Sequence, residues 1–549
     1  MCIDFICRFK TIQMKNFLLI IMSLLCFFNL EAQEKPKLIV GVVVDQMRVD
    51  YIYRYWDKFE ENGFKRLVNE GFFCRNTHFN YIPTYTGPGH ASIYTGTNPM
   101  THGIIANDWY DRELNSKVYC VGDESVTGVG TDNESGKMSP KPLIAPTLGD
   151  AVRISNLFKG KSIGISIKDR GAILPAGHSA NAAYWMDYES GKMVSSSYYM
   201  SDLPKWVKKF NSKNEADELA KEKWFPLLAI ESYSESTKDL TPYETPLIKG
   251  QKPVFPYDVQ RAIKEGDYYN FAYTPFANTL LRRFADECII NEDLGQDEYT
   301  DLLAISFSST DLLGHAYGPH SLEIEDMYLR LDQELARLLD ALDTRVGEGQ
   351  YVFFLTADHG AAHVPKFLID NKIPVGQFDK SRFVNELKAS LLKEYGSENL
   401  IASYSNQQIF LNHSEMKASK LEFKRVTSSI REFALAFEGV ANVLDTKEMQ
   451  HPLPPDGFSK VAANGWNPQR SGDIAIQLLP GWMEHSGLGT THGSSYSSDT
   501  HVPLLFFGFG VPHGESITEV DITQIAPTIS FISRIEMPEA SDHRPIEFK

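Results

Sequence analysis

Tyr351-Val352-Phe353-Phe354-Leu355-Thr356-Ala357-Asp358-His359-Gly360 is the stretch that decides the fold. Its apolar run is rich in β-branched and aromatic residues and short enough to be a strand buried on both faces. In open α/β sheets, ligands bind beyond the carboxyl ends of the strands, where Asp358 and His359 fall. On its own the stretch reads equally well as an Asp capping the next helix beside a hydrogen-bonded His. The balance shifts because the pattern recurs. Lys37 to Asp45 and Asp301 to Asp311 are two more apolar runs that finish on an aspartate.

The runs between them complete an α/β alternation. Thr86-Gly87-Pro88-Gly89-His90 turns into an apolar segment, which places the Thr86 hydroxyl at or just before a helix N-terminus, where backbone amides favour an anion. Without further context, Thr86 reads as a plain helix cap. Thr101-His102-Gly103-Ile104 is a polar turn leading to Asn107, a side-chain donor. Gly164 to Gly171 is a strand running into Lys168 and Arg170, a solvated rim in most proteins but the ligand edge in this fold class. Asp311 and His315 are four residues apart, so one helical turn lets them converge on an ion. His492 lies in the Gly-flanked loop Gly489-Thr490-Thr491-His492-Gly493. The remaining histidines read as structural or exposed. His90, beside the Thr86 turn, stands nearest the chemistry. Tyr85 and Tyr110 read as packing aromatics or as a lining for the leaving-group side.

Two segments break the alternation: about 180–270, rich in Tyr, Trp, Ser and Lys, and about 380–470, a compact helix and strand unit. Both are expected to be insertions capping the sheet. Within and after the second, Leu400 to Leu411 reads as one strand, and Asp473 to Leu478 as a strand back in the main core.

The chain has 549 residues, 42% hydrophobic and 23% charged, with a formal net charge of -17. That charge opposes a nucleic-acid partner, which needs a basic face. It leaves open a small anion met by metals and a few local cations. Arg8, Lys10 and Lys15 precede the apolar run Phe17 to Phe28, and Leu30-Glu31-Ala32 offers a cleavage point. Residues 1–32 therefore read as a signal peptide, with Met14 a second candidate start and a retained anchor the runner-up. Export to the periplasm or medium is expected, with no membrane contact after leader cleavage. Of six cysteines, Cys74, Cys120 and Cys288 lie beyond the leader, too widely spaced for a disulfide scaffold or zinc ribbon and open to one disulfide.

Asp45, Asp311 and Asp358 with His315, His359 and His492 form a carboxylate and imidazole set suited to zinc and similar ions. Six such ligands and a hydroxyl suit two ions roughly 3.5–4 Å apart, the arrangement for displacement at phosphorus. A threonine hydroxyl is too weak an acid to attack unaided, and metal coordination makes its alkoxide accessible. Asn107, Lys168 and Arg170 would then hold the non-bridging oxygens.

In order along the chain, these motifs resemble the alkaline phosphatase superfamily, specifically its phosphate-irrepressible, threonine-nucleophile alkaline phosphatases. The resemblance covers nearly all of residues 33–549. It includes Asp311-x-x-x-His315-x-x-Gly318-Pro319, Thr356 to Gly360, Thr491-His492-Gly493 and the stretch around Ala526-Pro527-Thr528. It implies an α/β fold with a mostly parallel sheet sandwiched by helices, and hydrolysis of small-molecule phosphate monoesters through a phosphothreonine. It also implies two Zn²⁺, one held by Asp311, His315 and His492, the other by Asp45, Asp358, His359 and Thr86. The related nucleotide pyrophosphatase/phosphodiesterases share the ligands, the Thr and the Asn, but usually lack Lys-x-Arg; they are the alternative reading. A sulfatase needs Cys or Ser where Thr86 stands. Cofactor-type mutases of the superfamily are usually cytosolic, which the leader opposes. A non-catalytic binding protein would have no need of every ligand and the nucleophile.

Overall fold

A computed structural model describes residues 34–451, 457–484 and 488–548. The expected signal peptide and both candidate starts lie outside the described residues.

The strands Tyr351–Thr356, Leu38–Val44, Asp301–Phe307, Ser162–Ser166 and Ala182–Asp187 stand side by side and parallel at the centre of an 11-stranded sheet. Every residue of the first four is buried, polar Ser162, Ser166, Asp301 and Ser306 included, as central strands covered on both faces require. Burying one Val, Leu, Ile or Phe contributes about 1.5–3 kcal/mol, so these strands anchor the core. Val43 is level with Thr356 on one side and Ser306 on the other, and the Asp45 amide donates to Phe307 O at 2.9 Å. This register brings three carboxyl ends to one edge. On the far side of Tyr351–Thr356 the sheet turns antiparallel through His501–Gly508, then Phe72–His78.

Helices flank the sheet. Thr86–Thr95 packs on Asp169–Ala176 and Ile525–Ser533, and Pro275–Asn291 packs on Leu322–Arg345. The last of these begins where the Ser321 side chain accepts from the Ile324 amide and Glu323 and Glu325 occupy the first turn. Cap and acidic residues together satisfy the positive end of its dipole. No helix among the described residues is long and apolar enough to cross a membrane. Cys74, Cys120 and Cys288 are buried free thiols, so the disulfide left open by the sequence does not form in this structure.

Four details differ from the sequence reading. Asp311 does not end a strand: Asp301–Phe307 stops earlier, and Asp311 sits in the first turn of the helix Ser309–Tyr317. Leu400 to Leu411 is a hairpin, Ile401–Ser405 and Gln408–Leu411, because Asn406 and Gln407 both adopt positive φ, at 55° and 57°. Ile474–Leu478 is not in the main sheet. It lies between Gln408–Leu411 and Val440–Asp445 in a separate four-stranded sheet with its own apolar core. An apolar run marks a buried strand without saying which sheet it joins. The segment beginning at 180 likewise gives Ala182–Asp187 and Lys192–Ser196 to the main sheet before its helices start.

Candidate active site

The aligned strand ends gather two groups of side chains, each with ligand atoms within 4.8 Å of one another: Asp311, His315 and His492, and Asp45, Asp358 and His359. Asp45 follows the Leu38–Val44 strand directly, and Asp358 and His359 come just after Tyr351–Thr356. His315 is one helical turn beyond Asp311, its Nε2 3.2 Å from Asp311 Oδ1, and His492 Nε2 approaches the same oxygen at 3.5 Å. In the other group His359 Nε2 is 3.4 Å from Asp45 Oδ1 and 3.6 Å from Asp358 Oδ2. The groups adjoin, since the His359 and His492 rings stack with centroids 3.5 Å apart.

Backbone carbonyls orient all three imidazoles. Nδ1 of His315 lies 2.9 Å from Thr490 O, that of His492 2.7 Å from Thr84 O, and that of His359 2.9 Å from Gly360 O. A carbonyl can only accept, so each Nδ1 carries a proton and each Nε2 is the atom turned toward the carboxylates. Asp45 Oδ1, Asp358 Oδ2 and His359 Nε2 are buried and make no hydrogen bond. Burial of polar atoms without partners is costly. A cation between them would satisfy all three, and a donor set of only nitrogen and oxygen suits a borderline first-row dication. The charges agree. Burial and the neighbouring Asp45 carboxylate push Asp358 well above the usual carboxylate range, and burial pushes His359 down to about 3. Asp311 goes the other way: burial opposes ionisation, but His315 and Lys168 hold it well below that range.

Thr86 opens the helix Thr86–Thr95 and is buried. Its neighbours touch both groups. Thr84 O receives the His492 imidazole, while on the next turn His90 Nδ1 bonds Thr86 O at 2.9 Å and lies 3.3 Å from Asp358 Oδ2. Gly89 is what lets the helix come this close, because a Cβ there would meet Asp358 O at 2.4 Å. Asn107 Oδ1 accepts from the Gly87 amide at 2.7 Å, which sets the Asn107 side chain beside the start of the helix.

Lys168 is deeper than a rim residue. Its Nζ lies 2.8 Å from Asp45 Oδ2 and 2.5 Å from Asp311 Oδ2, bridging one carboxylate from each group. Arg170 reaches neither group. It donates to Tyr119 OH at 3.0 Å, and its buried Nε makes no hydrogen bond. Its charge is nonetheless felt, adding to burial in lowering His90 to about 4. Gln46 was not singled out from the sequence. Its Nε2 donates to Asp311 Oδ1 at 2.6 Å and its amide to Asp358 Oδ1 at 3.1 Å, so it too joins the two groups. Its only sequence signal is adjacency to Asp45. Tyr85 packs edge-on against His492 at 5.4 Å, where both border a cleft of about 540 Å³ with Trp482, Met483 and Ile373. Tyr110 lies apart, against Phe410.

Residues 39–501 match the family described as type I phosphodiesterase / nucleotide pyrophosphatase. The chain belongs to that family. Among its relatives is the alkaline phosphatase PafA of Elizabethkingia meningoseptica, 42% identical over 530 residues, which are 96% of this chain and 97% of the relative. A protein of Myroides odoratus named as a calcium-transporting ATPase is 45% identical over 538 residues, 96% of this chain and 98% of that one. The crystal structure of wild-type PafA superposes with a TM-score of 0.91, covering 93% of this chain and 98% of the other. A PafA variant replaced at one threonine, one asparagine, one lysine and one arginine superposes at 0.90. The alkaline phosphatase PafA therefore shares this fold along almost its whole length.

Proposed function

We propose that the chain is an exported alkaline phosphatase that hydrolyses small-molecule phosphate monoesters at a dinuclear zinc site. The observation that carries this reading is the meeting of the Thr86 helix N-terminus with both ligand groups, through Thr84 on one side and His90 on the other. Asp311, His315 and His492 would hold one Zn²⁺, and Asp45, Asp358, His359 and Thr86 the other. Bound there, the pair of dications supplies Lewis acidity, making the Thr86 alkoxide accessible and neutralising charge on the departing oxygen.

The protein's own groups do the rest. Thr86 Oγ attacks phosphorus as the ester oxygen leaves, giving a phosphothreonine and an alcohol; water then cleaves the phosphothreonine to release phosphate. Aligned amides at the helix N-terminus and the Asn107 side chain donate to non-bridging oxygens. Arg170, with its unpartnered Nε, supplies a fork for two oxygens. Lys168, already between Asp45 and Asp311, brings a further positive charge. Support also comes from the PafA variant, whose altered threonine and asparagine, and altered lysine and arginine, are separated along the chain as Thr86 is from Asn107 and Lys168 from Arg170. The name of the Myroides relative brings in ATP, a phosphoanhydride open to the same displacement.

The family's description favours one second reading, phosphodiester hydrolysis on the same site. The two separate on charge, because a monoester dianion carries one more negative charge for Lys168 and Arg170 to meet. The test is kcat/KM for an aryl phosphate monoester against its methyl diester, in wild type and Lys168→Ala/Arg170→Ala. A monoester preference that collapses in the variant is expected. A diester preference indifferent to both cations would establish the phosphodiesterase reading instead.

A further inference from the structure

The cleft beside Tyr85 and His492 has a volume of about 540 Å³, the size of a small-molecule site. Leu368, Ile373, Val375, Trp482 and Met483 give it an apolar lining, and Tyr85 adds a second aromatic ring. Leu368 and Met483 are buried, while Ile373 remains 47% exposed. Two glycines make room for the Trp482 indole. A Cβ at Gly376 or Gly439 would lie 2.5 Å or 2.3 Å from its ring atoms, so the ring occupies space that only glycine leaves free. The His492 loop on the other flank is held by Gly489 N, which donates to Tyr243 O at 2.7 Å. Glu484 and Asp499 also line the cleft, and among the described residues no lysine or arginine does.

The place of this cleft follows from the direction of the reaction proposed above, on which the inference rests. Tyr85 immediately precedes Thr86 in the chain. In an in-line displacement the departing oxygen lies opposite the attacking one. Thr86 belongs with Asp45, Asp358 and His359, so the departing oxygen belongs on the side of Asp311, His315 and His492. Asn107, Lys168 and Arg170 take the non-bridging oxygens, which leaves the alcohol portion of the ester to extend past His492. There it meets the cleft. A flat apolar ring entering it leaves water and packs against the aromatic rings of Tyr85 and Trp482. A negatively charged substituent would meet Glu484 and Asp499 with no cation to offset it. ADP, the group that departs from ATP, would bring its diphosphate to this acidic lining.

We infer that the cleft is a leaving-group subsite for phosphate monoesters of uncharged aromatic alcohols. Ile373 and Trp482 are the residues that set this preference.

The test compares naphthyl phosphate with phenyl phosphate, whose alcohols are of similar acidity. Two ratios are read: kcat/KM in zinc-loaded enzyme, and the Kd of the same esters for zinc-loaded Thr86→Ala, measured by calorimetry. Wild type is expected to favour the naphthyl ester by about 10-fold or more in kcat/KM, the scale set by extra apolar atoms in a hydrophobic pocket, with the same preference in Kd for Thr86→Ala. Ile373→Asp and Trp482→Ala should bring both ratios to within about threefold of one. Ile373 is exposed enough for Ile373→Asp to decide if Trp482→Ala fails to fold. Turnover of both esters with equal kcat/KM would overturn the subsite and leave the phosphatase reading intact. A naphthyl preference unchanged in the variants would also overturn it, by placing the ring elsewhere. Turnover of neither ester would overturn the phosphatase reading, and the inference with it.

Discussion

Gly89→Ala tests the contact on which the active-site geometry turns. A Cβ at Gly89 would lie 2.4 Å from Asp358 O, 2.7 Å from its Cβ and 2.9 Å from its Cα. These are backbone and near-backbone atoms at the end of a buried strand, so no flexible side chain can move aside. Restoring ordinary contact requires the Thr86 helix and the Asp358 strand end to separate by about 1 Å. Overpacking of this kind costs about 1–3 kcal/mol of stability. The catalytic cost is larger in proportion, because a 1 Å misplacement of reacting groups costs about 10²-fold, or ~2.7 kcal/mol of transition-state stabilisation. The assay is kcat/KM for an aryl phosphate in zinc-saturated enzyme, with Tm and zinc content measured on the same samples. Gly136→Ala controls for destabilisation alone, since its Cβ would meet Gly128 Cα at 2.2 Å beside the strand Gly128–Val129 at the sheet's edge. The expected result is a fall of about 10² in Gly89→Ala with zinc retained, and near-normal turnover in folded Gly136→Ala. A Gly89→Ala enzyme within about threefold of wild type would refute the placement of the Thr86 helix against the metal-binding edge.

Three further outcomes are expected. Thr86→Ala should abolish turnover while zinc stays near two per chain, as a dinuclear site requires; substantial remaining activity would rule out the phosphothreonine. EDTA should silence the enzyme and Zn²⁺ restore it, and chelator-resistant turnover would remove the metals from the mechanism. Asp150→Asn probes a buried carboxylate remote from the site. Burial opposes its ionisation, but His178 and the Thr147 and Ser179 amides hold it well below the usual range. Its folded value is depressed, so the stabilisation is complete above the unfolded value of ~3.9 and is lost as pH falls through the folded value. The Tm deficit of Asp150→Asn should therefore be full near neutral pH and shrink in acid; a deficit independent of pH between neutrality and ~2 would contradict this.

Much of the site was legible because its residues obey local rules. Asp45 and Asp358 follow apolar runs that can only be central strands, and Asp311 and His315 have the spacing of one helical turn. What escaped the sequence depends on contacts between distant segments. Gln46 has no periodicity to mark it, yet at φ 65° its amide and side chain reach two carboxylates from different elements. Lys168 was legible as a cation at the ligand edge, but not its depth between Asp45 and Asp311, which follows from the register of Ser162–Ser166 beside Asp301–Phe307. Ile474–Leu478 looked like any core strand, and only long-range pairing assigns it to the smaller sheet.

The histidines show why ligand chemistry alone understates the design. His315 and His492 are far apart in sequence, yet one loop fixes both. Thr490 N donates to His315 O at 3.0 Å while His315 Nδ1 returns a bond to Thr490 O, and two residues on His492 is held by Thr84 O. Gly489 permits this crossing: at φ 80°, a Cβ there would fall 1.9 Å from His315 O. The imidazoles are thus aimed by main-chain atoms, whose positions are set by the sheet and by the loop at Tyr243. Preorganisation of this kind removes reorganisation from the reaction step and makes the ligand geometry a property of the whole fold. The inserted segment around Tyr243, remote from the chemistry in sequence, belongs to the active site's scaffold because it holds the loop that aims two of the ligands.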